Sequence, residues 1–195
     1  MIDKYSEAVE NFKSGKIVIF PTDTAIGIGC RIDDGAAVRK LFDIRRRPEN
    51  KPVLILVDSV EMAKRYLLPI PKKVKEKIIE RYWPGKLTII LRCKADKVPS
   101  IVRGGGNTLG VRFPNNEYLR NLIKDVGVPI VAPSANFHGE KTPFNLADVS
   151  PELVKLADYV LDVNFDINNE VSTVIDCAEE PWRVIREGAV KICIR

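Results

Sequence analysis

Short apolar runs that stop at a proline or at a group of hydroxyls recur along this chain, and they constrain its fold more than any other feature. Ile17 to Phe20 runs into P-T-D-T, Val53 to Val57 lies between Pro52 and D-S, and Leu87 to Cys93 follows W-P-G-K. T-L-G-V-R-F ends at Pro114, and I-V-A lies between Pro129 and Pro133. Apolar runs of about four to eight residues between turn residues read as buried strands of an α/β sheet.

Helical periodicity fills the intervals. Lys4 to Lys13 carries Tyr5, Ala8, Val9 and Phe12 on one face and ends before Gly15, and Asp34 caps a helix bearing Val38, Leu41 and Phe42. Asp58 and Ser59 cap a third helix through Leu67, and Pro71 opens a fourth with Val74, Ile78, Ile79 and Tyr82 inward. Residues 117 to 126 turn Tyr118, Leu119, Leu122, Ile123 and Val126 to the core before Gly127, and Ser150-Pro151-Glu152 starts a further helix. Tyr159 to Asp162, Ser172 to Asp176 and Arg183 to Arg186 read as strands, with Gly188 closing the unit. The Asn-rich segment 163 to 170 reads as a mobile surface loop. No linker or internal repeat divides the chain, so residues 1–195 are expected to form one α/β domain, large enough to bury about 70% of its unfolded surface.

Several function classes lose support at once. No apolar run approaches the ~20 residues of a membrane span and no signal-peptide core is visible, so a cytoplasmic location is expected. Cys30, Cys93, Cys177 and Cys193 form no C-x-x-C pair and His138 is the only histidine, which argues against a protein-held metal and against a Ser-His or Cys-His relay. All four cysteines are expected to be buried, reduced thiols. The net charge of +5 is uneven: residues 64–97 hold 11 Lys or Arg against 3 Asp or Glu, whereas residues 140–180 hold 2 against 10. A basic side and an acidic side are expected, the basic one either a solvated surface or an attractor of nucleotide or RNA phosphates.

The turns after the apolar runs carry the chemistry. Thr22, Asp23 and Thr24 place hydroxyls and a carboxylate beyond the first strand, and Gly27 and Gly29 permit close approach of a ligand, or make a plain turn. In I-R-R-R-P-E-N-K-P, Arg45, Arg46 and Arg47 fall on the last turn of a helix with Lys51 beyond it. They serve either the helix dipole or a polyphosphate clamp, since guanidinium forks pair with phosphate oxygens two at a time. R-G-G-G-N-T, residues 103–108, fits neither a Walker A loop nor G-x-G-x-x-G. It is a linker, a flap or an anion-binding nest, and Thr108 then starts a strand that delivers Arg112 to its end. Ser134, Asn136 and Gly139, after Pro133, form the floor of a site or a polar surface loop.

Taken in order, P-T-D-T-x-x-G-x-G, R-x-R-P, W-P-G-x-L-T, G-V-R-F-P, A-P-S-A-N, S-T-V and I-R-x-G resemble the YrdC family, the L-threonylcarbamoyladenylate synthases, over residues 15 to 190. The resemblance implies a twisted, open mixed sheet flanked by helices around a deep basic cavity, in the short single-domain form. It implies a nucleotidyltransferase that converts L-threonine, bicarbonate and ATP, with Mg2+ on the triphosphate, into threonylcarbamoyl-AMP and pyrophosphate. Partner proteins would then move the threonylcarbamoyl group to a tRNA adenosine beside the anticodon. Carried over by position, Thr24, Arg112, Ser134 and Ser172 would meet threonine. Arg47, Lys51, Thr108, Asn136, Thr142 and Arg186 would surround the nucleotide, and Arg45 with Arg47 would serve catalysis at its phosphates. The chain departs from the family at Arg45 (usually Lys), Ile26 (aromatic), Lys86 (Pro), Val171 (Glu) and Leu56 (often His). Two rival readings remain open: a YrdC-like protein that binds RNA or nucleotide without this activity or acts on another small molecule, and an unrelated nucleotide-binding module.

Overall fold

The computed structural model describes residues 3–165, 167 and 169–193. Helix α1 (Lys4–Lys13) starts where the Asp3 carboxylate accepts from the Ser6 amide and buries Ala8, Val9 and Phe12. The chain then forms a hairpin of β1 (Val18–Pro21) and β2 (Ile26–Arg31), with the P-T-D-T-A segment as its turn. The plain-turn alternative for Gly27 and Gly29 is therefore corrected: I-G-I-G-C-R is a buried strand. Gly29 serves strand packing rather than ligand approach, because a Cβ there would lie 2.2 Å from the Val131 carbonyl oxygen.

Asp34 caps α2 (Gly35–Ile44), β3 (Leu54–Leu56) is central, and Ser59 caps α3 (Val60–Tyr66). The helix opened by Pro71 is broken into α4 (Lys72–Val74), a π-helical stretch (Lys75–Ile79) and α5 (Glu80–Tyr82). Strands β4 (Leu87–Arg92) and β5 (Thr108–Arg112) precede α6 (Glu117–Val126), capped by Asn116, and β6 (Ile130–Val131). A short 3-10 turn (Leu146–Asp148), α7 (Pro151–Leu156), β7 (Tyr159–Val160), β8 (Thr173–Asp176) and β9 (Arg183–Arg186) complete the chain.

The strands form one mixed nine-stranded sheet among the described residues, in the order β7-β1-β2-β6-β3-β5-β4-β8-β9. Pairs β1/β7, β3/β5 and β4/β8 are parallel and the others antiparallel. Helix α1 packs on α6, where Tyr5 meets Tyr118 edge-on at 5.1 Å and donates to Asp125 at 2.6 Å. Strands β5 and β4 alternate: Leu109, Val111, Ile89 and Leu91 are buried in the core, while Thr108, Gly110, Arg112, Thr88 and Ile90 face the other way. That second face becomes the floor of a hollow.

Four expectations are revised. The basic and acidic segments are partly zipped together, by Lys73–Glu180 at 2.7 Å and Arg92–Glu179 at 2.5 Å, rather than lying on separate sides. In segment 163–170, Asp166 and Asn168 lie outside the described residues, but Val163, Phe165 and Ile167 pack against the core, with Phe165 edge-on to Tyr118 at 5.5 Å. An Asn-rich composition masked this alternation of apolar anchors. Cys30, Cys93 and Cys177 are buried free thiols, and burial raises the pKa of each, but Cys193 is exposed. The strand read at Tyr159 to Asp162 covers only its first two residues. Among the described residues no helix is long and apolar enough to cross a membrane.

Because the Gly29 contact is with backbone, which cannot swing aside, Gly29→Ala is expected to lower unfolding stability by about 2–3 kcal/mol, as overpacking does. Urea denaturation checks this; an unchanged midpoint would show that β2 and β6 can separate freely.

Candidate functional site

The hollow has two lobes that share the side chains of Leu54, Pro133, Ser134 and Arg186. The inner lobe, about 60 Å³, is bounded by Thr22, Thr24, Ile26, Arg112, Thr142, Val171 and Ser172. The outer lobe, about 260 Å³, is bounded by Arg45, Arg47, Thr88, Ile90, Thr108, Gly110 and Val174. The site is therefore built on one face of the sheet, with alternate residues of β3, β4, β5, β8 and β9 as its floor and the turns after β1 and β6 as its walls. Strand ends alone do not make it, and the period-2 pattern of T-L-G-V-R was the available sequence signal.

Arg112 reaches the inner lobe from the end of β5 and is 3% exposed. Its Nη1 donates to Asp23 Oδ1 at 2.7 Å, and Asp23 Oδ2 also accepts the Asn115 amide at 3.2 Å. The guanidinium Nε is buried without a partner, so this cation still has a donor to give. Asp23 was visible in the sequence only as a carboxylate in a turn; its pairing with a residue 89 positions away was not.

Next to it, the Thr22 hydroxyl donates to the Ala25 carbonyl at 2.7 Å and lies 3.1 Å from the Thr24 hydroxyl. The Thr22 oxygen also accepts the Thr24 and Ala25 amides at 3.2 and 3.1 Å, so its hydrogen-bonding capacity is spent locally and the Thr24 hydroxyl is the one available toward the lobe. Ser172 is held between Thr88, at 2.9 Å, and Arg186 Nη2, at 3.0 Å. Arg186 also grips the Ser172 carbonyl through Nε and Nη2, which fixes its head between the lobes.

Arg45, Arg46 and Arg47 lie just past the end of α2 rather than on its last turn. Arg45 is the C-cap and Arg46 has φ 51°, so the chain has already left the helix. Arg45 is buried, donates from Nε to the Asn136 carbonyl at 3.1 Å, and leaves Nη1 without a partner. Burial, with Arg47 close by, pushes its pKa down to about 10, so it stays a cation at neutral pH. Burial likewise lowers Arg47, and burial with Arg112 nearby lowers Arg186. Crowded cations with unspent donors make a receptor for anions.

The four residues carried over for threonine, Thr24, Arg112, Ser134 and Ser172, all line the inner lobe. Of the residues carried over for the nucleotide and its phosphates, Arg45, Arg47, Thr108 and Arg186 line the outer lobe and Thr142 the inner. Lys51 and Asn136 line neither. Lys51 is exposed, and the Asn136 amide is spent on the carbonyls of Phe137 and Glu140 at 2.9 Å each. Ile26 and Val171 do face the inner lobe, whereas Leu56 is fully buried in register with Arg112, outside the lining. Thr22 and Asp23, noted in the sequence as turn residues but given no binding role, and Thr88, not singled out at all, belong to the site.

The glycine run is neither flap nor nest. The Gly104, Gly105 and Gly106 amides donate to the carbonyls of Ile101, Ser100 and Arg103, and Arg103 itself holds the carbonyls of Val98 and Gly106. Gly104 has φ +58°, and its hypothetical Cβ would lie 2.9 Å from the Asn50 oxygen, so the loop buttresses the segment that carries Lys51 and Pro52.

The sequence model of the family described as Sua5_yciO_yrdC, telomere recombination, matches residues 10–188. The chain is 30% identical over 185 residues to the threonylcarbamoyl-AMP synthase of Bacillus subtilis, covering 95% of this chain and 53% of that protein. It is 35% identical over 179 residues to a putative threonylcarbamoyl-AMP synthase of Methanocaldococcus jannaschii, covering 92% and 83%. A crystal structure of Pyrococcus abyssi Sua5 complexed with L-threonine superposes with a TM-score of 0.88 at 33% identity, over 96% of this chain and 55% of that one. The chain thus spans about half the length of the Bacillus and Pyrococcus proteins.

Removing one member of a buried ion pair leaves the other charge uncompensated, which costs about 3–5 kcal/mol. Asp23→Ala is expected to lower stability by that much in urea. Combining it with Arg112→Met is expected to recover most of the loss, and strictly additive losses would refute the coupling.

Proposed function

Because the chain belongs to the Sua5/YciO/YrdC family, we propose that it is a threonylcarbamoyl-AMP synthase that joins L-threonine, bicarbonate and ATP and releases pyrophosphate. The observation that supports this most directly is the joining of a small lobe, lined by Thr24, Arg112, Ser134 and Ser172, to a larger one holding Arg45 and Arg47. The relatives of this chain that carry the same activity in their names point the same way.

In this reading the carboxylate of threonine pairs with the unspent side of Arg112, while Asp23 holds the opposite side. The amine faces the Thr24 hydroxyl, so the carbamate it forms with bicarbonate, with loss of one water, points toward Ser134 and Arg186, at the boundary between lobes. ATP occupies the outer lobe, with its α-phosphate at that boundary and its outer phosphates on Arg45 and Arg47. Attack of the carbamate oxygen on the α-phosphate then expels pyrophosphate toward those two cations. The chemistry needs alignment and charge neutralisation, and no protein nucleophile. The magnesium ion enters with ATP, held mainly by phosphates and water. The mixed anhydride is consumed by transferase proteins acting on tRNA.

Pyrophosphate release from ATP is expected only when threonine and bicarbonate are both present. Release without threonine, or preference for another amino acid, would overturn the reading. Arg112→Ala is expected to raise KM for threonine about 100-fold, in line with ~2–5 kcal/mol for truncating a buried charge contact, with ATP affinity nearly unchanged. Arg112→Lys, which keeps a cation for Asp23 but loses the planar fork, should fall between. Equal loss toward ATP and threonine would remove Arg112 from its assigned role.

A further inference from the structure

The three consecutive arginines after α2 dock on three consecutive residues of the turn after β6. Arg45 Nε donates to the Asn136 carbonyl at 3.1 Å, the Arg46 guanidinium lies 4.1 Å above the Phe137 ring, and Arg47 Nη1 lies 3.1 Å from His138 Nδ1. The His138 amide closes the array by donating to the Arg45 carbonyl at 2.9 Å. Arg46 is further tied to Glu152 at 2.5 Å, so its charge is turned away from the hollow.

Arg45 and Arg47 are the members of this array that line the outer lobe, and Arg47 is the one whose guanidinium meets His138. Arg47 Nε donates to the Lys51 carbonyl at 3.0 Å and its Nη2 to the Pro52 carbonyl at 2.6 Å. A guanidinium has five N–H donors, two of them on each terminal nitrogen. Backbone carbonyls take two, and His138 takes one from Nη1, which leaves one hydrogen on each terminal nitrogen for a ligand. The third contact holds the head at Nη1, the one nitrogen that these carbonyls leave unrestrained.

We propose that His138 is a positioning residue: its neutral imidazole accepts from Arg47 through Nδ1 and orients that guanidinium for the polyphosphate in the outer lobe. The proposal rests on the reading of that lobe as the ATP site. A guanidinium has no acceptor, so the contact requires an unprotonated Nδ1. The charges facing the ring are Arg47, Arg45 and Lys51, all cationic, and desolvation together with these charges holds the imidazole below its ordinary pKa of 6.5. The contact is therefore present above the histidine midpoint. It is lost as pH falls through it, when an N–H and a positive charge come to face Arg47. This gives a role to the chain's only histidine that needs no nucleophile and no acidic partner.

Because His138 is the sole histidine, its ring C–H signals can be followed through a pH titration by NMR without assignment. The midpoint should lie below 6.5 in the intact protein and rise toward it in Arg47→Gln; coincident midpoints would overturn the pairing, whatever the enzyme does. The second arm is kinetic, at pH 7.5, with threonine and bicarbonate saturating. His138→Asn, whose amide oxygen can stand where Nδ1 stands, should keep kcat within about twofold. His138→Lys, a permanent cation without an acceptor, should lose about tenfold in kcat with KM for ATP changed less than about threefold. Equal kcat for both variants would overturn the positioning role. His138 is exposed, so both variants should melt like the parent. A parent protein that releases no pyrophosphate would instead fail the enzymatic reading, and the titration would still decide the pairing.

Discussion

Burying a guanidinium is costly unless polar groups answer it, and the answer given to Arg112 by the Asp23 carboxylate organises the inner half of the molecule. The pair joins the end of β5 to the hairpin turn after β1, and the second Asp23 oxygen takes the Asn115 amide just beyond β5. Neither side chain is free to leave, because each would strand the other in the core at a cost of several kcal/mol. The consequence is orientation. Arg112 is anchored through Nη1, its Nε stays unpartnered, and the direction in which it can take a ligand is set by the fold rather than by the ligand.

The outer half works by a different rule. Arg45, Arg47 and Arg186 are held mainly by backbone carbonyls and an asparagine, with no carboxylate of the described residues among their hydrogen-bond partners. Carbonyl partners fix direction but leave net charge unneutralised; burial lowers the pKa of each arginine, joined at Arg45 and Arg186 by a neighbouring guanidinium. The inner lobe therefore has its central cation matched in advance, while the outer lobe holds unbalanced positive charge. A zwitterion with one carboxylate suits the first and a polyanion suits the second.

Much of this was legible in the sequence and some of it was not, for identifiable reasons. The helices were readable from apolar residues at helical spacing, with Asp34 and Ser59 visible as caps; the Asp3 and Asn116 caps emerged only from the structure. Strand β2 was missed because I-G-I-G reads as a flexible turn; only the neighbouring β6 backbone explains why Gly29 must lack a side chain. The lining of both lobes by motif residues was foreseeable from the order of the motifs, but their placement on a sheet face was not. Pairings such as Asp23 with Arg112 or Thr88 with Ser172 span more than 80 residues, and no local pattern reports them. Lys51 and Asn136, in the same motifs, stand outside the lining of both lobes, Asn136 with its amide on neighbouring carbonyls and Lys51 in solvent, and no local pattern reports that either.

The two halves meet at Ser134 and Arg186, and the way Arg186 is held explains why the boundary is firm. Strand β9 is an edge strand with Val184 and Ile185 exposed, so packing alone would leave its arginine mobile. Instead the guanidinium grips the Ser172 carbonyl with two nitrogens and the Ser172 hydroxyl with one. That hydroxyl is in turn fixed by Thr88 from the sheet floor. The edge strand is thus tied to the segment before β8 by side-chain geometry rather than by burial. A cation fixed in this manner can face both lobes without belonging to either, which is the placement a reaction joining two separately bound molecules requires of the group between them.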